Sequence, residues 1–339
     1  MKSKIILEAS NIYSGGGLVL LKLLLTELRT LNVTADIYLG YDHVVEDIKS
    51  ENYTNLNIIK TNTKETLFRY LKKRKDVVFL CNLPPFVKNK DSFLVFYNEL
   101  FFKKKNILSK SGFKFAIFSL WFKLFNKNVD NVLVQSKHIE QLIESKTNCK
   151  NVKTIPIYKK FRKSKNTEKV YDFCYISSAA PHKNHSSLFD AIEMLLNQGI
   201  KTNIVVTIPE HQDNLLERIA QINQKYPEAI TNVGYIDNSK IEEVYLKSRA
   251  LVFPSTAEAF GMPLIEAHDL GLKVLVSNLP YAYDVFEEVS TFDPTKTESI
   301  ANAMRSFLNG ELENTKQISK VVNQLDDYVN LLIDNKHGI

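Results

Sequence analysis

The chain has 339 residues, 44% apolar and 24% charged. That is the make-up of globular protein and long enough for two domains of ordinary size, so disorder and a minimal scaffold are excluded. Its net charge of +6 hides a split: residues 1–170 hold 31 basic and 15 acidic side chains, and the remainder 13 and 23.

The start, MKSKIILEAS, has an apolar run that stops at Glu8. A secretory segment needs about 7–15 apolar residues, and a bilayer span about 20, so neither is expected and the protein is read as cytoplasmic. Lys4–Ala9 reads as a strand, then ASNIYSGGGLVLL places Gly15, Gly16 and Gly17 in a loop before the helical Leu18–Leu31. Such glycines let a backbone approach a phosphate closely, although a flexible turn is the default for them alone. Strand candidates follow at Ala35–Leu39, Asn57–Ile59, Val77–Cys81, Phe93–Tyr97 and Val132–Gln135, with Asn98 just after the fourth of these five. Three scattered cysteines, Cys81, Cys149 and Cys174, lack C-x-x-C spacing, which argues against a disulfide framework or a zinc site.

Residues Leu100–Lys127 contain seven lysines and no acid. Phe113, Ile117, Leu120, Trp121 and Leu124 recur there at helical spacing. A core helix is the bland reading of the stripe. The density of unopposed lysines favours a segment lying on an anionic membrane surface, with Lys103, Lys104, Lys105, Lys110 and Trp121 as its contacts. No zinc-finger spacing, RNP-like motif or helix-turn-helix supports nucleic acid as the partner of this basic half.

Pro156–Val170 is polar, basic and without periodicity, and reads as a linker. Strands then resume at Asp172–Ser177, Asn203–Ile208, Ala229–Val233, Ala250–Pro254 and Lys273–Ser277, separated by helices such as Ser186–Gln198 and Leu215–Tyr226. Alternating strands and helices mean βαβ units and parallel sheets. The expected architecture is two tandem Rossmann-like, doubly wound α/β domains facing a cleft. The expected bounds are 1–155, a linker over 156–170, a second domain over 171–310, and a helical segment over 311–339 that returns to the first domain.

The stretch Ala250–Ser277 carries the most chemistry. A strand ends at Pro254, a loop holds Glu258, Ala259, Phe260, Gly261 and Met262, and Pro263 suits a helix start. Glu266 then falls in that helix's first turn, where it either holds ligand hydroxyls or merely complements the helix dipole. Upstream, YISSAAPHKN (Tyr175–Asn184) leads a strand into Lys183 ahead of a helix, where an ammonium can neutralise a pyrophosphate.

E-A-F-G-M-P-L-I-E resembles the E-x7-E signature of retaining family 4 glycosyltransferases of the GT-B fold, and the flanking VFPS and GLKVLVS fit as well. The resemblance implies that Glu258 contacts donor-sugar hydroxyls, that the backbone of Ala259–Leu264 (Leu264 included) lines the sugar and phosphate site, and that Glu266 binds ribose. Lys183 matches one half of the family's diphosphate clamp. Ser178 stands where its arginine would be, leaving His182, His185 or a basic residue of the other domain as substitutes. Gly15–Gly17 resembles the family's N-terminal glycine loop, Asn98 takes the place of a histidine near the reacting sugar, and Gly234 and Tyr235 resemble a segment near the base.

The expected function is therefore transfer of a hexose with retention, in bacterial surface polysaccharide synthesis. The donor is a UDP- or GDP-linked sugar, the acceptor a glycan or lipid-linked saccharide, and Glu258, Lys183 and Asn98 are the catalytic candidates. No metal or other cofactor is expected, and the setting is the inner face of the cell membrane. A nucleotide-sugar epimerase of similar fold and a non-catalytic sugar-binding scaffold are the alternatives.

Overall fold

The computed structural model describes residues 4–103, 109–162, 167–237 and 240–334. They form two compact units, Met1–Tyr158 with Val322–Ile339, and Lys159–Val321. In chain order the first contains β1 (Ile5–Ala9), α1 (Gly15–Thr30), β2 (Ala35–Leu39), α2 (Asp42–Ser50), β3 (Leu56–Lys60), α3 (Thr63–Tyr70), β4 (Val77–Phe79), β5 (Phe93–Val95), α4 (Lys110–Phe125), β6 (Asn131–Val134), α5 (Lys137–Lys146) and β7 (Val152–Thr154). The second contains β8 (Tyr171–Tyr175), α6 (His185–Asn197), β9 (Ile204–Val206), α7 (Asp213–Lys225), β10 (Ile230–Asn232), α8 (Ile241–Leu246), β11 (Ser248–Phe253), α9 (Met262–Asp269), β12 (Lys273–Ser277), α10 (Pro280–Val285), β13 (Phe286–Glu288), β14 (Ser290–Phe292), α11 (Thr297–Leu308) and β15 (Ile318–Ser319). The last helix, α12 (Leu325–Asp334), belongs to the first unit.

Both main sheets are parallel, in the orders β3-β2-β1-β4-β5-β6-β7 and β10-β9-β8-β11-β12-β14. The strand order reverses between β1 and β4 in one and between β8 and β11 in the other. Doubly wound sheets bind ligands outside the carboxyl ends of their strands at such points. All ten internal strand candidates exist, five of them shorter than expected; the edge strand β7 and the short β13, β14 and β15 carry no expectation from the sequence.

Their chemistry explains the architecture. Val77–Phe79, Phe93–Val95 and Ile204–Val206 are buried throughout, as central strands covered on both faces must be. Leu20, Leu21, Leu24, Leu25 and Leu28 of α1 close over one face of the first sheet, and Tyr328, Val329 and Leu332 of α12 join the same core. The stretch 156–170 is divided between the units. Ile157 and Tyr158 are buried, with Tyr158 and Asn323 exchanging hydrogen bonds, while the Phe161 N–H donates to Asp269 and the Val170 N–H to the Lys247 carbonyl. A free linker would leave those backbone groups to water; the ones named here have protein partners.

The helix over the lysine-rich stretch forms as α4, but its stripe is not core. Phe113 (58%), Ile117 (45%), Leu120 (57%) and Leu124 (55%) are exposed. Trp121, expected to meet a membrane, is instead stacked on Phe86 at 4.6 Å, and its indole N–H donates to the Pro84 carbonyl at 2.9 Å. The inward face is Phe118 and Phe122, packed on Phe101 and Phe96. Lys103 pairs with Glu99 at 3.2 Å. Lys104 and Lys105 lie outside the described residues, and Lys110 opens α4 with its side chain outside the description.

Candidate active site

In the second unit two loops leave the carboxyl ends of the strands that flank the switch point. The loop after β8 passes through a short 3-10 turn, Pro181–Lys183, and reaches α6 through Asn184 in the left-handed region at φ 59°. The loop after β11 runs from Pro254 to Gly261, also left-handed at φ 81°, and enters α9. Backbone and side chains stitch the two loops together. The His182 carbonyl accepts from the Thr256 N–H at 2.7 Å and from the Thr256 and Ser255 hydroxyls at 3.1 and 3.2 Å. The Asn184 amide donates to the carbonyls of Pro254 and Pro294, and the Tyr175 hydroxyl holds the Lys183 carbonyl at 2.7 Å. A loop held at this many points is rigid enough to aim a side chain.

What it aims is one ion pair. The Lys183 ammonium donates to Glu258 Oε1 at 2.5 Å, with side chains only 16% and 12% exposed. At that partial burial the two charges are screened less than a pair in open water, which strengthens their attraction. The pair sits beside the start of α9, where Gly261 permits the tight entry: a Cβ there would lie 3.0 Å from Leu264 Cδ1.

Residues 157–324 match the family described as Glycosyl transferases group 1. This segment belongs to that family. Relatives include the serotype-specific mannosyltransferase WbdA of Escherichia coli, 28% identical over 159 residues, which are 45% of this chain and 19% of that protein. The O-antigen chain mannosyltransferase RfbU of Salmonella typhimurium is 24% identical over 233 residues, 68% of this chain and 62% of RfbU. The chain thus spans between about a fifth and three fifths of the curated relatives it matches. Among solved structures, Anabaena HepE in complex with UDP and glucose superposes with a TM-score of 0.67 at 12% identity, covering 98% of this chain and 96% of HepE. A glycosyltransferase from Rickettsia africae gives 0.69 at 15% identity, covering 98% and 94%. These likenesses establish the GT-B class of two Rossmann-like α/β units.

Within this segment, the other expected site residues fall in different surroundings. Phe260 and Leu264 are buried, while Ala259, Met262 and Pro263 are half-buried. The helix begins at Met262 rather than Pro263, which moves Glu266 past the first turn. Glu266 accepts from the Tyr245 hydroxyl at 3.1 Å; burial pushes its carboxyl up to about 7, against the pull of that bond and of Lys159. Helix-dipole complementarity therefore does not account for it. Tyr235 follows β10 on a turn made by Gly234 at φ 70° and is 77% exposed. Ser178 is exposed. Of its suggested substitutes His185 is removed: it is buried against the Tyr175 ring at 4.7 Å, and burial together with the Lys183 charge takes its imidazole down to about 4, so it is neutral.

The remaining candidates belong to the first unit. Gly15, Gly16 and Gly17 form the first turn of α1 instead of preceding it, with no side-chain cap and no acid in that turn. Gly17 is needed because a Cβ would meet the Tyr97 hydroxyl at 3.1 Å. Asn98 caps a 3-10 turn, its Oδ1 accepting from the Leu100 N–H at 3.1 Å. One feature gave no sequence signal. At the carboxyl ends of β1 and β2 the exposed rings of Tyr13, Tyr41 and His43 gather at centroid distances of 5.0–5.9 Å, with His43 Nε2 2.9 Å from the Tyr13 carbonyl. Gly40 makes this possible, since a Cβ there would fall 2.1 Å from the Ser10 carbonyl.

Proposed function

We propose that the protein is a retaining glycosyltransferase that moves a hexose, mannose being favoured by the names of its relatives, from a UDP- or GDP-linked donor to a glycan or lipid-linked saccharide in bacterial surface polysaccharide assembly. The observation that carries this reading is the Lys183–Glu258 pair at 2.5 Å, at the carboxyl ends of β8 and β11 and beside the start of α9. Lys183 turns to the donor diphosphate, Glu258 to the sugar hydroxyls, and the N–H groups at the start of α9 add to the leaving group's stabilisation. The bond from C1 to the diphosphate breaks, C1 bonds the acceptor oxygen, and the acceptor proton leaves with the nucleoside diphosphate. Orientation and leaving-group stabilisation supply the rate, and Asn98, an amide, takes no part as a base. The scheme uses no metal or other cofactor. Glu266 takes the ribose, and Tyr235 lies against the base. Gly15, Gly16 and Gly17 present open N–H groups to phosphate, and the Tyr13, Tyr41 and His43 rings offer a stacking face to an acceptor sugar.

The test is product analysis after incubation with a panel of UDP- and GDP-sugars and acceptor glycans. Release of nucleoside diphosphate with an acceptor glycosylated in the donor's anomeric configuration supports the proposal. Free nucleotide with an epimerised sugar and no acceptor requirement makes the protein an epimerase. Donor binding without turnover makes it a scaffold.

The same reading puts the protein peripherally on the anionic inner face of the cell membrane. Among the described residues no helix is long and apolar enough to cross a membrane. The support is α4, whose apolar stripe is exposed within a stretch of seven lysines and no acid.

A further inference from the structure

The exposed stripe of α4 is one half of a larger feature. Leu67 (49%), Phe68 (58%) and Leu71 (54%) on and just after α3 are exposed to the same degree. The two helices meet through aromatic rings: Tyr70 of α3 lies edge-on to Trp121 of α4 at 6.4 Å, and Trp121 stacks on Phe86.

Helical geometry places both apolar sets on the sides where the helices meet. At about 100° per residue, Leu67 and Leu71 lie within about 100° of Tyr70 on one side, and Phe68 follows within about 160°. Arg69 lies on Tyr70's other side, turned down to the buried Glu8 of β1 at 2.7 Å. On α4 the sheet-facing Phe122 lies to one side of Trp121, and Phe113, Ile117, Leu120 and Leu124 all lie within about 100° on the opposite side. Tyr70, Trp121 and Phe86 thus floor a surface whose walls are seven large, exposed apolar side chains.

The charges around it are predominantly basic. Residues 63–75 hold six basic side chains and one acid, Glu65, and 100–127 hold seven lysines and none. Arg69 and Arg74 are committed to Glu8, while Lys64, Lys72 and Lys73 are exposed, with the Lys72 ammonium 4.1 Å over the Phe68 ring. Glu65 lies on the opposite side of α3 from Leu67 and Leu71, its carboxylate accepting from the Thr61 hydroxyl.

We infer that α3 and α4 together form one docking face for an anionic phospholipid leaflet, with Leu67, Phe68 and Leu71 as necessary to it as the α4 stripe. It rests on the membrane reading above and extends it to a second helix. Apolar walls enter the headgroup boundary while lysines on both helices meet the lipid charge. A protein partner is disfavoured because protein interfaces are depleted in lysine, whereas an anionic leaflet attracts it.

Vesicles of equal parts phosphatidylglycerol and phosphatidylcholine test this with the full chain. Wild type is expected to co-sediment with them and not with pure phosphatidylcholine. The variant carrying Leu67→Gln, Phe68→Gln and Leu71→Gln, and separately that carrying Ile117→Gln, Leu120→Gln and Leu124→Gln, are each expected to lose about tenfold or more in partitioning. Val322→Gln, exposed but elsewhere, leaves it unchanged. If the α3 variant binds like wild type while the α4 variant is released, the two-helix face is overturned and the membrane reading survives. If wild type does not bind, both fall. Trp121 is the chain's only tryptophan and needs no variant: bromine-labelled acyl chains in the same vesicles should quench it, and bound protein with unquenched Trp121 overturns the inference. Lipid-free self-association that the α3 variant abolishes gives the face to a second copy, which also overturns it.

Discussion

The two units use their strand ends differently. In the second, the loops after β8 and β11 are tied by the His182 carbonyl and Asn184, and the pair they hold is half-buried. In the first, the corresponding ends of β1 and β2 present an uncapped glycine turn and three exposed rings. On the proposed reading, a corner that holds a diphosphate gains from rigidity, whereas an exposed platform accepts a partner that varies. Rigidity and function are thus written into different residue types: carbonyl acceptors, Asn and Ser/Thr in one, glycine and aromatics in the other.

The comparison breaks most sharply at the pair. Lys183→Ala should weaken nucleotide-sugar binding by about 1.5–3 kcal/mol, read by calorimetry. Glu258→Ala should cut transfer by a like amount in kcat/KM with the fold intact by circular dichroism. The double variant should lose less than the two singles summed, because both singles remove the same interaction. Additive losses would mean that the pair is not a unit.

Next in size is Glu266. Its folded carboxyl titrates at about 7 against an ordinary 4.5. Between those values the unfolded chain gives up its proton while the folded chain keeps it, so wild-type stability falls as pH rises through that window. Glu266→Gln should therefore match wild type near pH 4.5 and exceed it by about 2–3 kcal/mol above pH 7, measured by denaturant unfolding. A constant difference across pH would place the carboxylate in water. Gly261→Ala should follow, destabilising the second unit by about 1–2 kcal/mol, since φ 81° is unfavourable for alanine and its Cβ would crowd Leu264. Thermal melts check it.

Two smaller effects sharpen the contrast. Tyr13→Ala should raise the KM for acceptor by about tenfold or less while leaving donor affinity alone, since an exposed stacking contact is worth about 1 kcal/mol. An equal loss in donor affinity would assign the rings to the donor instead. Ser178→Arg should tighten nucleotide binding by about 1 kcal/mol or less, the side chain being exposed and screened. Calorimetry showing no gain would leave the second phosphate charge to another group.

Much was legible from local pattern. The alternation of strands and helices, the Gly261–Pro263 entry to α9 and the lysine before α6 are set by neighbours within a few residues: backbone freedom at glycine, a fixed φ at proline, period-two and period-3.6 burial. That is why strand positions were read to within a few residues while the helix start at Met262, and with it the turn occupied by Glu266, was missed by one position.

What tertiary structure decided involves partners distant in sequence. Lys183 and Glu258 are 75 residues apart, Trp121 and its Pro84 acceptor 37, and no periodicity announces either bond. The α4 stripe has a core pattern, and only the fold shows that Phe118 and Phe122 took the inward face and left Phe113, Ile117, Leu120 and Leu124 to solvent. Likewise His185 is chemically capable of carrying charge, and burial against Tyr175 removes it. Sequence alone determined which chemistry was present; desolvation and contact, which depend on what packs against each group, determined which of it could be charged, buried or exposed.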